Sequence, residues 1–201
     1  MAHRPSPRFA VEAALQTLAD VRGPGQVVVT NQGSARLWPR LSQHAGDFNY
    51  NPSTMGGAIA LGLGVALAQP EREVVVVSGD GSLLMSLGTL VTVCASGATN
   101  ITIILLENGI YEVTGGQRLP IAGEETDFVG LAKASGFATA TRVTSLEDWQ
   151  QRAATLMTAA GPRFIGLPVA PVQSDCLSDP SEPMSQQLAR LRSLLDEPSV
   201  G

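Results

Sequence analysis

An α/β fold built as a doubly wound parallel sheet with helices on both faces is what this sequence predicts, on three observations. Unbroken apolar, β-branched runs at Val27–Thr30, Val74–Val77 and Ile101–Leu106 suit parallel strands covered on both sides. Stretches of helical spacing alternate with these runs through short connections, which is the pattern of successive βα units. The Val74 run stops at Gly79-Asp80-Gly81-Ser82, and a carboxylate there sits at the open carboxyl edge of the sheet, where such folds bind ligands.

Composition narrows the function classes. The 201 residues are 44% hydrophobic and 15% charged, ample for one globular domain but tight for two. A net charge of −5 with no basic run argues against nucleic-acid binding. Cys94 and Cys176 show neither CxxC nor Cys/His ligand spacing, so zinc and a disulfide framework are not expected. No signal-peptide core or twenty-residue apolar span is visible, and a cytoplasmic chain is expected.

Residues 1–7 carry two prolines and two arginines and read as a loose leader. Phe9, Val11, Leu15 and Leu18 mark one side of an amphipathic helix, Gly23-Pro24-Gly25 forms a turn, and Val27–Thr30 is the first strand. Asn31-Gln32-Gly33-Ser34 then leads into a short helix around Ala35–Leu41. Residues 42–52 lack periodicity and read as a loop, with His44 able to move a proton or meet an acidic group; a solvated loop histidine is the plainer alternative. Residues 53–68 form a Gly- and Ala-rich helix, whose Gly62-Leu63-Gly64 lacks the third glycine and preceding strand of a dinucleotide fingerprint.

A helix over Leu83–Ser96 follows the Gly-Asp-Gly turn, and the Ile101–Leu106 strand leads to a Gly-rich segment from Asn108 to Gly123. Asp127 caps a helix reaching Ser135, Phe137–Val143 is a strand, Ser145 opens an acidic-first helix, and Phe164–Val169 is the last strand. The main domain is expected over 8–170. The tail, 171–201, holds one amphipathic helix, Met184–Leu195, able to dock on this domain or a partner, or to extend into solvent.

The Gly-Asp-Gly-Ser turn carries the chemistry. Its glycines let backbone approach a ligand, and Ser82 opens a helix whose free N–H groups face the same spot, an arrangement that suits phosphate. A bare carboxylate would repel phosphate, so Asp80 makes sense with a hard cation between them; Mg²⁺ typically takes one or two protein carboxylates plus phosphate oxygens. Asn108, ending the next strand, offers a second oxygen.

Gly79–Ser82, the spaced Asn108-Gly109 pair, Met55-Gly56-Gly57 and the segment Tyr111–Gln117 together resemble the signature of thiamine diphosphate (ThDP) enzymes, closest to the phosphonopyruvate and sulfopyruvate decarboxylases. The resemblance runs from about Val27 to Gln117, more loosely to Val169, and covers only the carboxyl-terminal, diphosphate-binding domain of those enzymes. It implies ThDP and Mg²⁺ as cofactors, with Gly79, Asp80, Gly81 and Ser82 at the diphosphate. Asn31 and Gln32 would reach the distal phosphate, though an ordinary turn with a helix cap explains them as well. By the same resemblance Asp80, Asn108 and the Ile110 carbonyl hold the metal, Met55 wedges under the cofactor rings, the Ser53 carbonyl accepts the 4′-amino group, and Tyr111 belongs to a loop over the cofactor. Glu112 faces either substrate or, more simply, solvent.

In the resembled family a glutamate that activates the pyrimidine ring comes from another domain, for which no segment remains here. The expectation is therefore one subunit of a split 2-oxo acid decarboxylase, in an α₂β₂ or larger assembly with a separate pyrimidine-domain subunit and no catalytic side chain of its own beyond the candidates His44 and Glu112. The alternatives are a subunit of an acetolactate-synthase-like carboligase and a non-catalytic subunit that keeps the fold.

Overall fold

A computed structural model of the chain describes residues 8–120, 126–172 and 182–197; the leader at 1–7, the end of the Gly-rich segment at 121–123, and Cys176 fall outside them. The elements are, in order, α1 (Val11–Val21), β1 (Val27–Asn31), α2 (Gln32–Leu37), a 3₁₀ turn (Trp38–Arg40), β2 (Asp47–Tyr50), α3 (Gly57–Ala68), β3 (Val74–Gly79), α4 (Asp80–Leu84) and α5 (Thr89–Ala95). There follow β4 (Ile101–Glu107), β5 (Ile110–Tyr111), a 3₁₀ turn (Glu112–Thr114), β6 (Gln117–Arg118), α6 (Phe128–Ser135), β7 (Thr139–Arg142), α7 (Leu146–Thr158), β8 (Arg163–Pro168) and α8 (Met184–Asp196).

Six strands form one sheet in the order β2-β1-β3-β4-β8-β7, and every pairing in it is parallel. Strand alternation splits the valine run of β1 between two cores: Val27 and Val29 face α3, α5, α6 and α8, while Val28 faces α1, α2 and α7. Both faces are thus covered by helices, and the uninterrupted apolar composition of the central strands follows. β2 lies on one side of β1 and β3 on the other, so the chain direction switches between β1 and β3 and leaves a crevice at their carboxyl ends.

Several elements depart from the sequence expectation. The helix expected over 53–68 begins only at Gly57, and the one expected around Ala35–Leu41 runs from Gln32 to Leu37 and ends in a 3₁₀ turn. Residues 42–52 are not all loop: Asp47–Tyr50 is an edge strand paired with β1, too short and too polar to show its alternation, although Phe48 enters the core. The helix expected over 83–96 is two helices, α4 and α5, separated by a turn in which Ser86 Oγ donates to the Gly56 carbonyl at 2.8 Å. The strand expected over 137–143 is only Thr139–Arg142.

α8 docks on the outer edge of β2. The Gln187 side chain, fully buried, accepts from the free Asn49 N–H at 2.7 Å, and Arg190 donates to the carbonyls of His44, Ala45 and Asp47. Side chains of a helix thereby satisfy an edge that would otherwise stand open to another strand. At the helix's other end Arg72 donates to the Leu194 and Glu197 carbonyls, 3.2 and 3.1 Å away.

Candidate diphosphate and cation site

The crevice at the carboxyl ends of β1, β3 and β4 is a cavity walled by Asn31, Gln32, Gly79, Asp80, Gly81, Ser82, Asn108, Ile110, Tyr111 and Met55. These are the sequence-nominated cofactor residues with one exception, Ser53, which does not reach it. His44 does not reach it either. It lines a separate polar pocket with Ser42, Asp47, Glu182 and Arg190, at the entry of β2, opposite the carboxyl edge.

The register places these groups. β3 pairs with β4 from Val74↔Ile101 to Gly79↔Leu106, so the two strands run out together and Asp80 meets the turn that follows Glu107. Asp80 is buried, with 2% of the residue exposed, and its carboxylate accepts from Gly81 N at 2.8 Å and Gly109 N at 2.7 Å. Burial pushes its carboxyl above the ordinary range, opposed by those two amides and by the charge of Arg8. Gly109 supplies its amide with φ of +77°, a conformation that favours glycine. Asn108 Oδ1 accepts from Ile110 N at 3.0 Å within the same turn.

Ser82 is a hub that its place in the sequence marks only as a helix start. Its hydroxyl oxygen accepts from Asn31 Nδ2 at 3.1 Å and from Gly56 N at 2.9 Å, tying β1 and the Met55-Gly56 turn to the Gly-Asp-Gly loop. Gly56 makes that turn at φ +84°. Asn31 Oδ1 is buried and has no partner. Gln32, the next residue, holds φ at +51°, and strain of this kind in a non-glycine residue gathers at ligand sites.

The donor set therefore fits a hard cation bound to a diphosphate: a buried carboxylate, an amide oxygen beside it, a carbonyl-bearing turn and unsaturated amide capacity at Asn31. Open space lies beside Gly79, where an added Cβ would meet nothing within 4 Å. Among the described residues no cluster of three or more His, Cys, Asp or Glu forms a self-sufficient metal site, so a cation here needs oxygens from its ligand.

Glu112 is not the surface residue that its neighbourhood suggests. Its carboxylate is held by the Val172 amide and rests against Gly33, where a Cβ would lie 2.7 Å from Oε2. Burial first, and the Asp80 charge second, raise its carboxyl, with the Val172 amide opposing. The Tyr111 ring covers Gly81 in the same way, 2.8 Å from a built Cβ. Glu112, Val11, Gly33, Ser34, Leu106, Val113 and Val172 complete the walls; of these Ser34 is fixed locally, through hydrogen bonds with the Asn31 backbone.

Residues 26–167 match the family described as thiamine pyrophosphate enzyme, C-terminal TPP binding domain. The chain is 36% identical over 200 residues to a phosphonopyruvate decarboxylase of Streptomyces viridochromogenes, all of this chain but 49% of that protein. It is 40% identical over 126 residues to the sulfopyruvate decarboxylase subunit beta of Methanothermobacter thermautotrophicus, 63% of this chain and 64% of that subunit. In fold it is similar to benzoylformate decarboxylase from Polynucleobacter necessarius, with a TM-score of 0.66 at 20% identity over 87% of this chain and 34% of the other. The chain thus spans about half the length of the phosphonopyruvate decarboxylase it matches. It belongs to the thiamine pyrophosphate enzyme family, of which it carries the C-terminal TPP-binding domain.

Proposed function

We propose that this chain is the diphosphate- and Mg²⁺-binding subunit of a split ThDP-dependent 2-oxo acid decarboxylase, completed by a separate pyrimidine-binding subunit. One observation carries the reading: Asp80, buried at the switch point, is held by two backbone amides, and among the described residues no side-chain cation pairs with it directly. A charge so placed is costly unless a cation completes it.

Asp80, Asn108 and the Ile110 carbonyl would hold the ion, and Asn31, Gln32 and the Gly79–Ser82 loop the diphosphate. When bound, ThDP supplies the electron sink that allows a 2-oxo acid to lose carbon dioxide. The chain's own residues orient and shield. Met55, fixed through Gly56 and Ser82, would support the rings; Tyr111 and Glu112, now against Gly81 and Gly33, must yield space to a diphosphate and then exclude water from it.

A partner is supported by α3 and its neighbourhood. That helix, GAIALGLGVALA, has no polar side chain, yet Leu61 and Leu67 are 36% and 52% exposed and nearby Met85 and Val91 are 56% and 57% exposed. A helix apolar on all sides is normally enclosed. The sulfopyruvate relative is itself named as a beta subunit, and an α₂β₂ or larger assembly follows from pairing two such sites.

Calorimetry on the complex assembled with the pyrimidine subunit tests the assignment. Asp80→Ala should abolish Mg²⁺-dependent ThDP binding, and unchanged affinity would overturn it. Product analysis with one and then two 2-oxo acids separates aldehyde release from carboligation.

A further inference from the structure

The turn at Glu107-Asn108-Gly109 is held from three sides. The Glu107 carbonyl accepts from Val169 N at 3.2 Å and the Gly109 carbonyl from Leu119 N at 3.1 Å. The Asn108 carbonyl between them accepts from the guanidinium of Arg8, a residue a hundred positions away that the sequence places at the border of a loose leader. Nothing local supplies that third bond.

Arg8 reaches the turn because its neighbour is pinned. Phe9 bridges Val169 in parallel, with Phe9 N donating to the Pro168 carbonyl at 3.2 Å and the Phe9 carbonyl accepting from Ala170 N at 2.8 Å. The Phe9 ring joins the core shared by α1 and α7. The chain entering α1 thus lies along the extension of β8, at the carboxyl edge of the sheet. The guanidinium lies close against Gly109: a Cβ built there would be 3.0 Å from Nη2 and 3.4 Å from Nη1. Gly109 is also the residue whose amide holds Asp80, so the contact of Arg8 is one residue from both proposed oxygen ligands on this turn.

We propose that Arg8 is a positioning residue, which by bonding the Asn108 carbonyl and packing on Gly109 fixes the Asn108–Ile110 turn in the geometry that binds a divalent cation together with Asp80. The inference rests on the cation-site reading above. It adds that the site depends on a side chain outside the strand-end segments that build it. Binding of a cation must hold the turn still, and without Arg8 the entropy of ordering Asn108 and Ile110 is charged against affinity. A hydrogen bond to a charged donor is worth about a tenfold change in affinity or somewhat more.

Mn²⁺ binding to the full chain, assembled with its pyrimidine-binding subunit and saturated with ThDP, followed by electron paramagnetic resonance, tests this. Arg8→Met should weaken Mn²⁺ about tenfold, Arg8→Lys should recover most of the loss, and the metal-free melting temperature should not move in either. Mn²⁺ affinity of Arg8→Met within twofold of the unsubstituted protein overturns the proposal. So does a lowered melting temperature with intact Mn²⁺ affinity, which marks a structural tie only. If the unsubstituted complex binds Mn²⁺ no more tightly than Asp80→Ala, the cation-site reading itself fails and the role of Arg8 falls with it; that outcome is distinct because it needs no Arg8 variant.

Discussion

Asp47 at the entry of β2 and Asp80 at the exit of β3 are each about 2% exposed, yet their surroundings differ. Asp47 is paired with the buried Arg22 guanidinium and accepts from Ser42 Oγ and His44 N, both at 2.7 Å. Burial draws the Arg22 guanidinium down while the Asp47 charge and hydrogen bond hold it up. Asp80 has backbone amides and a cavity. The first carboxylate is compensated by a buried guanidinium and fastens an edge strand; the second has no such ion pair among the described residues, only two backbone amides and the charge of Arg8, which is why a cation is proposed for it. Burial alone therefore does not tell a structural charge from a functional one. The identity of the neighbours does.

The largest expected effect separates the two directly. Asp80→Ala should abolish Mg²⁺-dependent ThDP binding, the loss of a carboxylate ligand, without unfolding the chain. Asp47→Ala should do the reverse: it leaves Arg22 buried without its carboxylate and should cost about 3–5 kcal/mol of stability, read from denaturant midpoints. If Asp47→Ala is silent, or Asp80→Ala unfolds the protein, the distinction fails.

A sharper version replaces both partners. Asp47→Leu with Arg22→Met removes the charges together, and a buried pair exchanged for apolar side chains is often neutral within about 1–2 kcal/mol. The double variant should recover most of what Asp47→Ala loses. Full additivity of the two single losses would show that the ion pair is not the source.

pH gives a third test. Asp80 and Glu112 both titrate above their ordinary values in the metal-free fold, so the folded chain holds their protons more tightly than the unfolded chain does. The stability that these two groups contribute is then fully present below their unfolded values, 3.8 and 4.5, and is lost as pH rises through the raised folded ones. Subtracting the Glu112→Gln profile from that of the unsubstituted metal-free protein should leave a melting-temperature difference that declines across that window. Mg²⁺ affinity should rise over the same window, because the proton and the cation compete for Asp80. A difference that climbs with pH would contradict the assigned direction.

The smallest effect calibrates the scale. Arg190 and Glu182 form a 2.7 Å ion pair with both side chains about a third exposed, and Glu182→Gln should change stability by less than about 1 kcal/mol. A loss comparable to that of Asp47→Ala would mean that exposure is a poor guide to how these charges act.

The contrast between the aspartates also marks how far the sequence could be read. The Asp80 turn is legible because its signals are local: an unbroken strand, two flanking glycines, a helix start and Asn108 at the end of the next strand. Met55, Ile110 and Tyr111 were nominated for the same site by family resemblance, and the fold brings them to that cavity. Ser53, nominated by the same resemblance, and His44, nominated for its chemistry in a polar, aromatic stretch, do not line the cavity. β2 went unseen because a four-residue edge strand with one core side chain, Phe48, carries too little periodicity. Gly88 and the Ser86 tie to Gly56 split a helix that spacing alone made continuous.

By itself the sequence determined the layered α/β architecture and the carboxylate at the sheet's rim, because strand burial and Gly-Asp-Gly turn chemistry depend on residues a few positions apart. Only the tertiary structure decided that Ser82 joins Asn31 to Gly56, that Glu112 turns inward against Gly33, that Gln187 seals β2, and that Arg8 grips the Asn108 turn. Each of these joins side chains to partners brought near by the crossing of strands and helices, at separations from 26 to 138 residues for the hydrogen bonds of Ser82 and Gln187. No pattern in the linear chain encodes a contact whose two ends are set by independent elements.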